Sequence, residues 1–130
     1  MSEIKKSSWE EVMKEHALEQ AKEISEDREF DTGAKRDDNS NKPFIHNLKG
    51  YTRMRFGFHM TTGSNKYGDS NWEKGMPIPS YLESIDRHLA QYMDGDRSED
   101  HLSAIIFGAQ GCMMEEKKEG VKADHYFKKQ

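Results

Sequence analysis

The chain has 130 residues, enough for one domain but not for two that each bury their own core. Charged residues make up 34% and hydrophobic residues 33%, so an isolated copy buries a thin core and we expect a homo-oligomer, either dimer or tetramer. The net charge of −4 argues against bulk nucleic-acid binding, and the absence of a long apolar run argues against a membrane span. The lone Cys112 cannot form an internal disulfide. Together these features predict a cytoplasmic protein.

The first predicted element is a helix in SSWEEVMKEHALEQAKEISED, where apolar residues recur at three- and four-residue steps from Trp9 to Ile24. Ser8 is its predicted N-cap. Glu23 and Glu26 lie three residues apart and can in principle bind a metal, although a solvated charged face explains them more simply. The next stretch, DREFDTGAKRDDNSNKP, is rich in Asp, Asn, Gly and Lys and predicts a loop.

The middle of the chain is basic, because no Asp or Glu occurs from Asn39 to Gly68. Within it, NLKGYTRMRFGFHM predicts a helix with its glycines at close-packing points, although its alternation leaves a strand open. The cationic and aromatic side chains in and after this segment can pair with a triphosphate and stack on a base. Two alternatives stay open: these cations balance the negative charge of the acidic first helix, or KGYTRMRFGFH forms a patch that binds nucleic acid.

Two further helices are predicted after this segment, in PIPSYLESIDRHLAQYMDG and in RSEDHLSAIIFGAQGCMMEEKK. Ser80 and Ser98 are their predicted starts, and the short connection predicts an antiparallel hairpin. The predicted apolar stripes are Leu82, Ile85, Leu89, Tyr92 and Met93 on one helix and Leu102, Ile105, Ile106, Ala109 and Met113 on the next. The polar tail from Gly120 is expected to be loose apart from docking by Tyr126 and Phe127.

Acids of the hairpin are candidate metal ligands. Glu83 and Asp86 share one side of the first helix, and Glu99 with Asp100 lies at the start of the next. Acids from two packed helices suit a hard divalent cation because several anionic oxygens can converge on it. The structural alternative is a capping box from Ser80 to Glu83, with the second pair complementing the next helix N-terminus.

Histidines also border the predicted stripes. His88 and His101 are either packed, hydrogen-bonded residues or groups that bind a metal or carry a proton. Cys112 has no neighbour that would lower its pKa, so we do not expect it to act as a nucleophile.

Three segments, GSNKYGDSNWEKGMP, YLESIDRHLAQYMDGD and EDHLSAIIFGA, resemble the phage dATP/dGTP diphosphohydrolases, a MazG-like branch of the all-α nucleoside triphosphate pyrophosphohydrolases. The family pattern is a glycine followed by K-Y-G, N-W and K-G, then R-H-L, a G-[ED] turn and H-L. The matching residues here are Gly63, Lys66, Tyr67, Gly68, Asn71, Trp72, Lys74, Gly75, Arg87, His88, Leu89, Gly95, Asp96, His101 and Leu102.

The resemblance implies an all-α, single-domain protein of MazG-like helical hairpins assembled into a bundle. Its expected parts are an N-terminal helix in residues 1–29, a loop in 30–46, catalytic helices in 47–119 and a tail in 120–130. It further implies hydrolysis of a purine deoxynucleoside triphosphate to the monophosphate and pyrophosphate with Mg²⁺ or Mn²⁺, in the host cytoplasm if the protein is phage-encoded. A catalytically silent relative that binds nucleotides or a protein is the alternative.

The resemblance also implies roles for individual residues. The expected metal ligands are Glu83, Asp86, Glu99 and Asp100. The expected catalytic residues are Glu83 and Asp86, supported by His88 and His101. The expected substrate residues are Arg53, Lys66 and Arg87 towards the phosphates, and Tyr67, Asn71 and Trp72 around the base or sugar.

The chain departs from the family in its acids. Relatives carry E-x-x-E on one helix and E-x-x-D on the next, and often have acids where this chain has Met54 and Arg55. Three possibilities stay open: the four hairpin acids form the whole metal set, Glu23 and Glu26 supply one pair, or the site is degenerate.

Overall fold

The computed structural model describes residues 9–21, 27–37, 42–122 and 126. The chain divides into two compact units, Met1–Ile45 with Val121–Gln130, and His46–Gly120. Its helices are α1 (Trp9–Ala21), α2 (Gly50–Tyr67), α3 (Ile78–Met93) and α4 (His101–Glu119), with 3-10 turns at Ile45–Asn47 and Asn71–Lys74 and two short strands, β1 (Arg28–Glu29) and β2 (Lys35–Arg36). The prediction of an all-α protein is therefore confirmed. None of the described helices is both long and apolar enough to cross a membrane.

The first unit contains α1. The Trp9 indole donates to the Val121 carbonyl at 3.2 Å, and its ring centroid lies 5.0 Å from that of Tyr126. The predicted docking of Tyr126 is thus confirmed. The predictions for Ser8, Glu23, Glu26 and Phe127 lie outside the described residues.

The first unit also contains a small hairpin where the sequence predicted only a loop. β1 and β2 pair antiparallel, with Arg28 opposite Arg36. The Gly33 amide donates to the Phe30 carbonyl at 2.8 Å, and Gly33 has a φ of 88°, which glycine adopts without steric cost. Two-residue strands are too short to show an alternating pattern, so no pattern in the sequence predicts them.

The second unit begins with α2, which confirms the helix predicted in the basic middle and excludes the strand. The prediction that its glycines are close-packing points is wrong, because a Cβ at Gly50 or Gly57 would meet nothing within 4 Å. α2 ends at Gly68, whose φ of 95° turns the chain while its amide donates to the Ser64 carbonyl.

α3 and α4 form the predicted antiparallel hairpin. From the N-terminal to the C-terminal part of α3, Tyr81 lies against Gly111, Ile85 lies against Gly108, and His88 lies beside His101. A Cβ at Gly108 would overlap the Ile85 side chain, and one at Gly111 would overlap the Tyr81 ring. The two glycines therefore form a groove that lets the helices approach closely, and this groove is the centre of the core.

The predicted apolar stripes coincide with the buried faces only in part: Ile85 lies in the seam, but other stripe members are exposed. On α3, Tyr81 is 2% exposed, whereas Leu82 is 53% and Met93 76% exposed. On α4 the buried positions are His101, Ser103, Ala104, Gly108 and Gly111, while Ile106 and Met113 are exposed. Hydrophobicity alone mispredicts this seam, because the glycine groove selects the face that can come closest.

Both helix starts also differ from prediction. α3 begins at Ile78, with Pro77 at the N-cap position and Pro79 in the first turn. Proline is tolerated there because N–H groups in the first turn of a helix have no partner within the helix. The predicted Ser80 N-cap is therefore wrong. α4 begins at His101 with Asp100 as N-cap, because the Ser98 hydroxyl donates instead to Asp96.

Candidate functional site

The connection between α3 and α4 holds His101 through Asp96. The Nε2 atom of His101 lies 2.6 Å from Oδ2 of Asp96. Asp96 also accepts from the Ser98 amide at 3.2 Å and from the Ser98 hydroxyl at 2.9 Å. These hydrogen bonds, that from His101 foremost, lower the pKa of Asp96 from its usual value. Asp96 is therefore an ionised acceptor, and His101 donates to it from Nε2.

The other nitrogen of His101 faces His88 and Glu99. The two Nδ1 atoms are 2.9 Å apart, and Oε1 of Glu99 lies 3.3 Å from Nδ1 of His88 and 3.8 Å from Nδ1 of His101. We call these three residues the His-Glu-His group. Their ligand atoms all lie within 4.8 Å of one another, and in the described part of the chain no other set of three or more His, Cys, Asp or Glu side chains converges in this way.

Burial differs across the His-Glu-His group. His101 is 2% exposed and His88 is half-buried, whereas the Glu99 side chain is 57% exposed. Burial lowers the pKa of His88, with the carboxylate of Glu99 opposing that effect. The group therefore has a buried imidazole pair and one open, acidic side.

Asp100 is engaged separately. It accepts two hydrogen bonds from Arg55, both at 2.9 Å, and two from Ser103, at 3.1 Å from the amide and 2.7 Å from the hydroxyl. The Arg55 guanidinium holds the pKa of Asp100 well below its usual range, and Asp100 in turn raises the pKa of Arg55. Asp100 thus caps α4 and links it to α2.

A cavity of about 910 Å³ adjoins this region. It is bounded by α2, by the segment that follows it, and by parts of α3 and α4. Its lining residues are Arg55, Phe58, His59, Met60, Thr62, Gly63, Ser64, Lys66, Tyr67, Gly68, Asp69, Asn71, Trp72, Lys74, Gly75, Met76, Tyr81, Glu99, Asp100 and Phe107. Its volume is within the range of small-molecule sites.

The lining of the cavity combines aromatic rings with charges of both signs. The lysines at positions 66 and 74 and the Arg55 guanidinium are its cations, and the ammonium of Lys66 lies 5.2 Å from the Tyr67 ring centroid. Rings give surfaces on which a base can stack, and cations can pair with phosphate. The cavity is therefore suited to a ligand with a flat ring at one end and negative charge at the other.

The structure brings some of the sequence-predicted residues together and leaves others apart. Six of them line the cavity: Lys66, Tyr67, Asn71, Trp72, Glu99 and Asp100. His88 and His101 belong to the His-Glu-His group, which Glu99 shares with the cavity. Four are exposed and outside both the cavity lining and the group: Arg53, Glu83, Asp86 and Arg87.

Sequence reasoning gave no site role to several residues that the structure brings here. Phe107 and Tyr81 line the cavity, and Asp96 orients His101. Arg55, one of the cations that the sequence suggested could pair with a triphosphate, lines the cavity and binds Asp100. Gly108 and Gly111 on α4 could have indicated that Tyr81 is buried, since two glycines at this spacing leave room for a large ring from the adjacent helix. No local pattern links Asp96 to His101, because the turn brings them together.

Cys112 does not contribute to this site. It is half-buried on α4, and burial, reinforced by Glu116, raises the pKa of its thiol. A raised pKa disfavours the thiolate that acts as nucleophile, in agreement with the sequence-based expectation.

Comparison with known proteins gives one match. A family model described as dATP/dGTP diphosphohydrolase, N-terminal, matches residues 32–125. This range contains all of α2, α3 and α4, and so every residue of the cavity and of the His-Glu-His group. No curated protein and no solved structure gave a match.

Proposed function

Since the chain belongs to the dATP/dGTP diphosphohydrolase family, in the region that the family model describes as N-terminal, we propose that its cavity binds a purine deoxynucleoside triphosphate. The proposed reaction is hydrolysis to the deoxynucleoside monophosphate and pyrophosphate. Water attacks one of the two phosphorus atoms of the α,β-anhydride, the bond from that phosphorus to the bridging oxygen breaks, and the fragment that keeps the bridging oxygen leaves with the electron pair of that bond.

One observation carries this proposal: a single cavity joins aromatic rings to basic side chains. Tyr67 and Trp72 offer flat surfaces for a purine, while Lys66 and Lys74 offer positive charge for the phosphates. Arg55 is already paired with Asp100, so the two lysines are the better candidates for direct phosphate contacts.

A divalent cation, expected from the sequence as Mg²⁺ or Mn²⁺, is part of the proposal. When bound, such an ion would polarise phosphate oxygens and lower the pKa of a bound water. Three of the four acids suggested by the sequence fit this ion poorly in the described structure, because Glu83 and Asp86 lie outside the cavity and Asp100 is engaged by Arg55 and Ser103. Glu99 fits better, because it both lines the cavity and converges with two imidazoles.

Product analysis tests the reaction. The purified protein is incubated with each of the four deoxynucleoside triphosphates and either Mg²⁺ or Mn²⁺, and the products are separated by ion-exchange chromatography. We expect dATP or dGTP to give the monophosphate and pyrophosphate in equal amounts. Orthophosphate with the diphosphate, or tripolyphosphate with the nucleoside, would contradict the proposed bond cleavage. Binding of a nucleotide without product would favour a catalytically silent relative.

A lysine pair tests whether the cavity is the site. Lys66→Ala removes a cation from the cavity, and Lys117→Ala removes one from the exposed last turn of α4, outside the cavity. We expect the first substitution to raise KM for the nucleotide by about tenfold, since one charge-assisted contact is worth about 1.5 kcal/mol, and the second to leave it unchanged. Equal effects of the two would argue against the cavity.

We also propose that the protein forms a homo-oligomer. Large apolar side chains stay exposed along the hairpin, namely Leu82, Leu89, Met93, Ile106 and Met113. Exposed apolar surface of this kind favours association because contact removes it from water. Light scattering coupled to size exclusion would give the mass of a dimer or tetramer, and a monomer at micromolar concentration would refute this proposal.

A further inference from the structure

We propose that Nδ1 of His88, Nδ1 of His101 and Oε1 of Glu99 bind a divalent first-row transition metal such as Mn²⁺, Fe²⁺, Co²⁺ or Zn²⁺ in preference to Mg²⁺. This inference concerns the same site and rests on the proposed function only for what the metal does there. The binding site itself is argued from the His-Glu-His group alone.

Distances within the group fit coordination. Metal bonds to imidazole nitrogen and carboxylate oxygen of about 2.1 Å place neighbouring ligand atoms about 3.0 Å apart in an octahedral site and about 3.4 Å apart in a tetrahedral one. The three ligand atoms here are separated by 2.9, 3.3 and 3.8 Å. One ion can therefore contact all three atoms with shifts of a few tenths of an ångström.

The tautomer of His101 is set for metal binding. Its Nε2 donates to the Asp96 carboxylate at 2.6 Å, so in the neutral ring the Nδ1 atom carries the lone pair. Ligating histidines commonly have such a carboxylate behind them, which orients the ring and raises its basicity. Because two lone pairs cannot face each other at 2.9 Å, either a shared proton or a cation must lie beside the Nδ1 atoms of His88 and His101.

The ligand types select the class of metal. Two imidazoles with one carboxylate suit borderline transition metals, whereas Mg²⁺ prefers oxygen ligands and retains its waters. Three protein ligands leave positions open for water or phosphate oxygens. Glu99 is the link between the metal and the substrate, because its carboxylate lines the cavity while one of its oxygens faces the imidazole pair.

Direct metal binding without nucleotide tests the inference. Co²⁺ is titrated into the full chain while its visible absorption is followed, and Mg²⁺ is tested as a competitor. We expect Co²⁺ to bind one equivalent per chain, with no displacement by a hundredfold excess of Mg²⁺. Glu99→Gln is the cleanest ligand variant because the Glu99 side chain is exposed and its loss leaves the core intact. We expect it and His88→Gln to weaken Co²⁺ binding more than about tenfold.

Asp96→Asn tests the positioning residue behind His101. We expect it to weaken Co²⁺ affinity between about 10- and 100-fold and to change the absorption spectrum, since the ring loses its orientation. Asp94→Asn removes an exposed acid from the same turn and serves as the matched control. The pair Glu83→Gln and Asp86→Asn tests the acids favoured by the sequence.

The outcomes separate this inference from the proposed function. Loss of Co²⁺ binding in Glu99→Gln but not in the Glu83 and Asp86 variants supports the inference, even if no nucleotide is hydrolysed. Unchanged Co²⁺ binding in both Glu99→Gln and His88→Gln overturns it, even if the protein hydrolyses dATP. Equal losses in the Glu83 and Asp86 variants would also overturn it.

Discussion

At one end of the seam between α3 and α4, Tyr81 lies against Gly111, whereas at the other end His88 faces His101 across the same seam. The first end is closed by shape, because glycine leaves room for a ring. The second is closed by hydrogen bonds, which fix imidazoles whose ring nitrogens converge with a carboxylate oxygen. The tight apolar end therefore stabilises the hairpin by packing, while the polar end holds titratable side chains.

Emptying the apolar end of the seam should have the largest effect on stability. Tyr81→Ala should lower the free energy of unfolding by about 3 to 5 kcal/mol, because a nearly fully buried ring leaves a cavity. Leu82→Ala, one residue along, should lower it by less than about 1 kcal/mol because that side chain is half exposed. Urea denaturation measures both. Similar losses would mean that Leu82 is covered in solution, as a second copy would do.

Overfilling the same end should have the next largest effect. Gly111→Ala places a methyl group against the Tyr81 ring and should destabilise the protein by about 1 to 3 kcal/mol. Gly57→Ala, in α2, meets nothing within 4 Å and should instead stabilise by about 0.5 to 1 kcal/mol. Thermal unfolding of the pair checks the sign, and a stabilising Gly111→Ala would refute the close approach.

The polar end should respond less to substitution. Asp100→Ala removes the N-cap acceptor of α4 and should lower the free energy of unfolding by about 1 kcal/mol. Asp100→Asn keeps an acceptor for the Ser103 amide while losing the charge, so its loss should be smaller. Chemical denaturation compares the two, and equal losses in the two variants would show that the charge of Asp100 matters more than its capping hydrogen bond.

The smallest expected effect concerns the ion pair that joins α2 to the polar end. Arg55→Gln should lower the free energy of unfolding at neutral pH only slightly, since solvent screens the pair. Arg53→Gln, on the exposed side of the same helix, is the matched control.

The same variant has a pH signature. The pKa of Asp100 is lower in the folded protein than the value of about 3.9 expected when unfolded, so its contribution is present above about pH 4 and lost as pH falls through the folded pKa. Without Arg55 the folded pKa rises and the contribution shrinks. Acid unfolding followed by circular dichroism should therefore occur at a higher pH in Arg55→Gln than in Arg53→Gln. Identical midpoints would contradict this.

Much of the molecule could be predicted from local pattern. The helices, the antiparallel hairpin and the family follow from short-range spacing and from an ordered run of motifs between Lys66 and Leu102. Local signals suffice there because turn geometry and helix periodicity act over a few residues. The same reasoning named Trp72 and Tyr67, which line the cavity.

Which side chains face each other was decided only by the tertiary structure. Hydrophobic spacing favoured a stripe centred on Leu82, Ile85 and Leu89, but Gly108 and Gly111 bring Tyr81 and Ile85 inward, while Glu83 and Asp86 stay outside the cavity lining. The convergence of His88, Glu99 and His101 depends on the angle of a turn and on close helix approach. Both are set by packing between residues distant in sequence, and no local pattern records them.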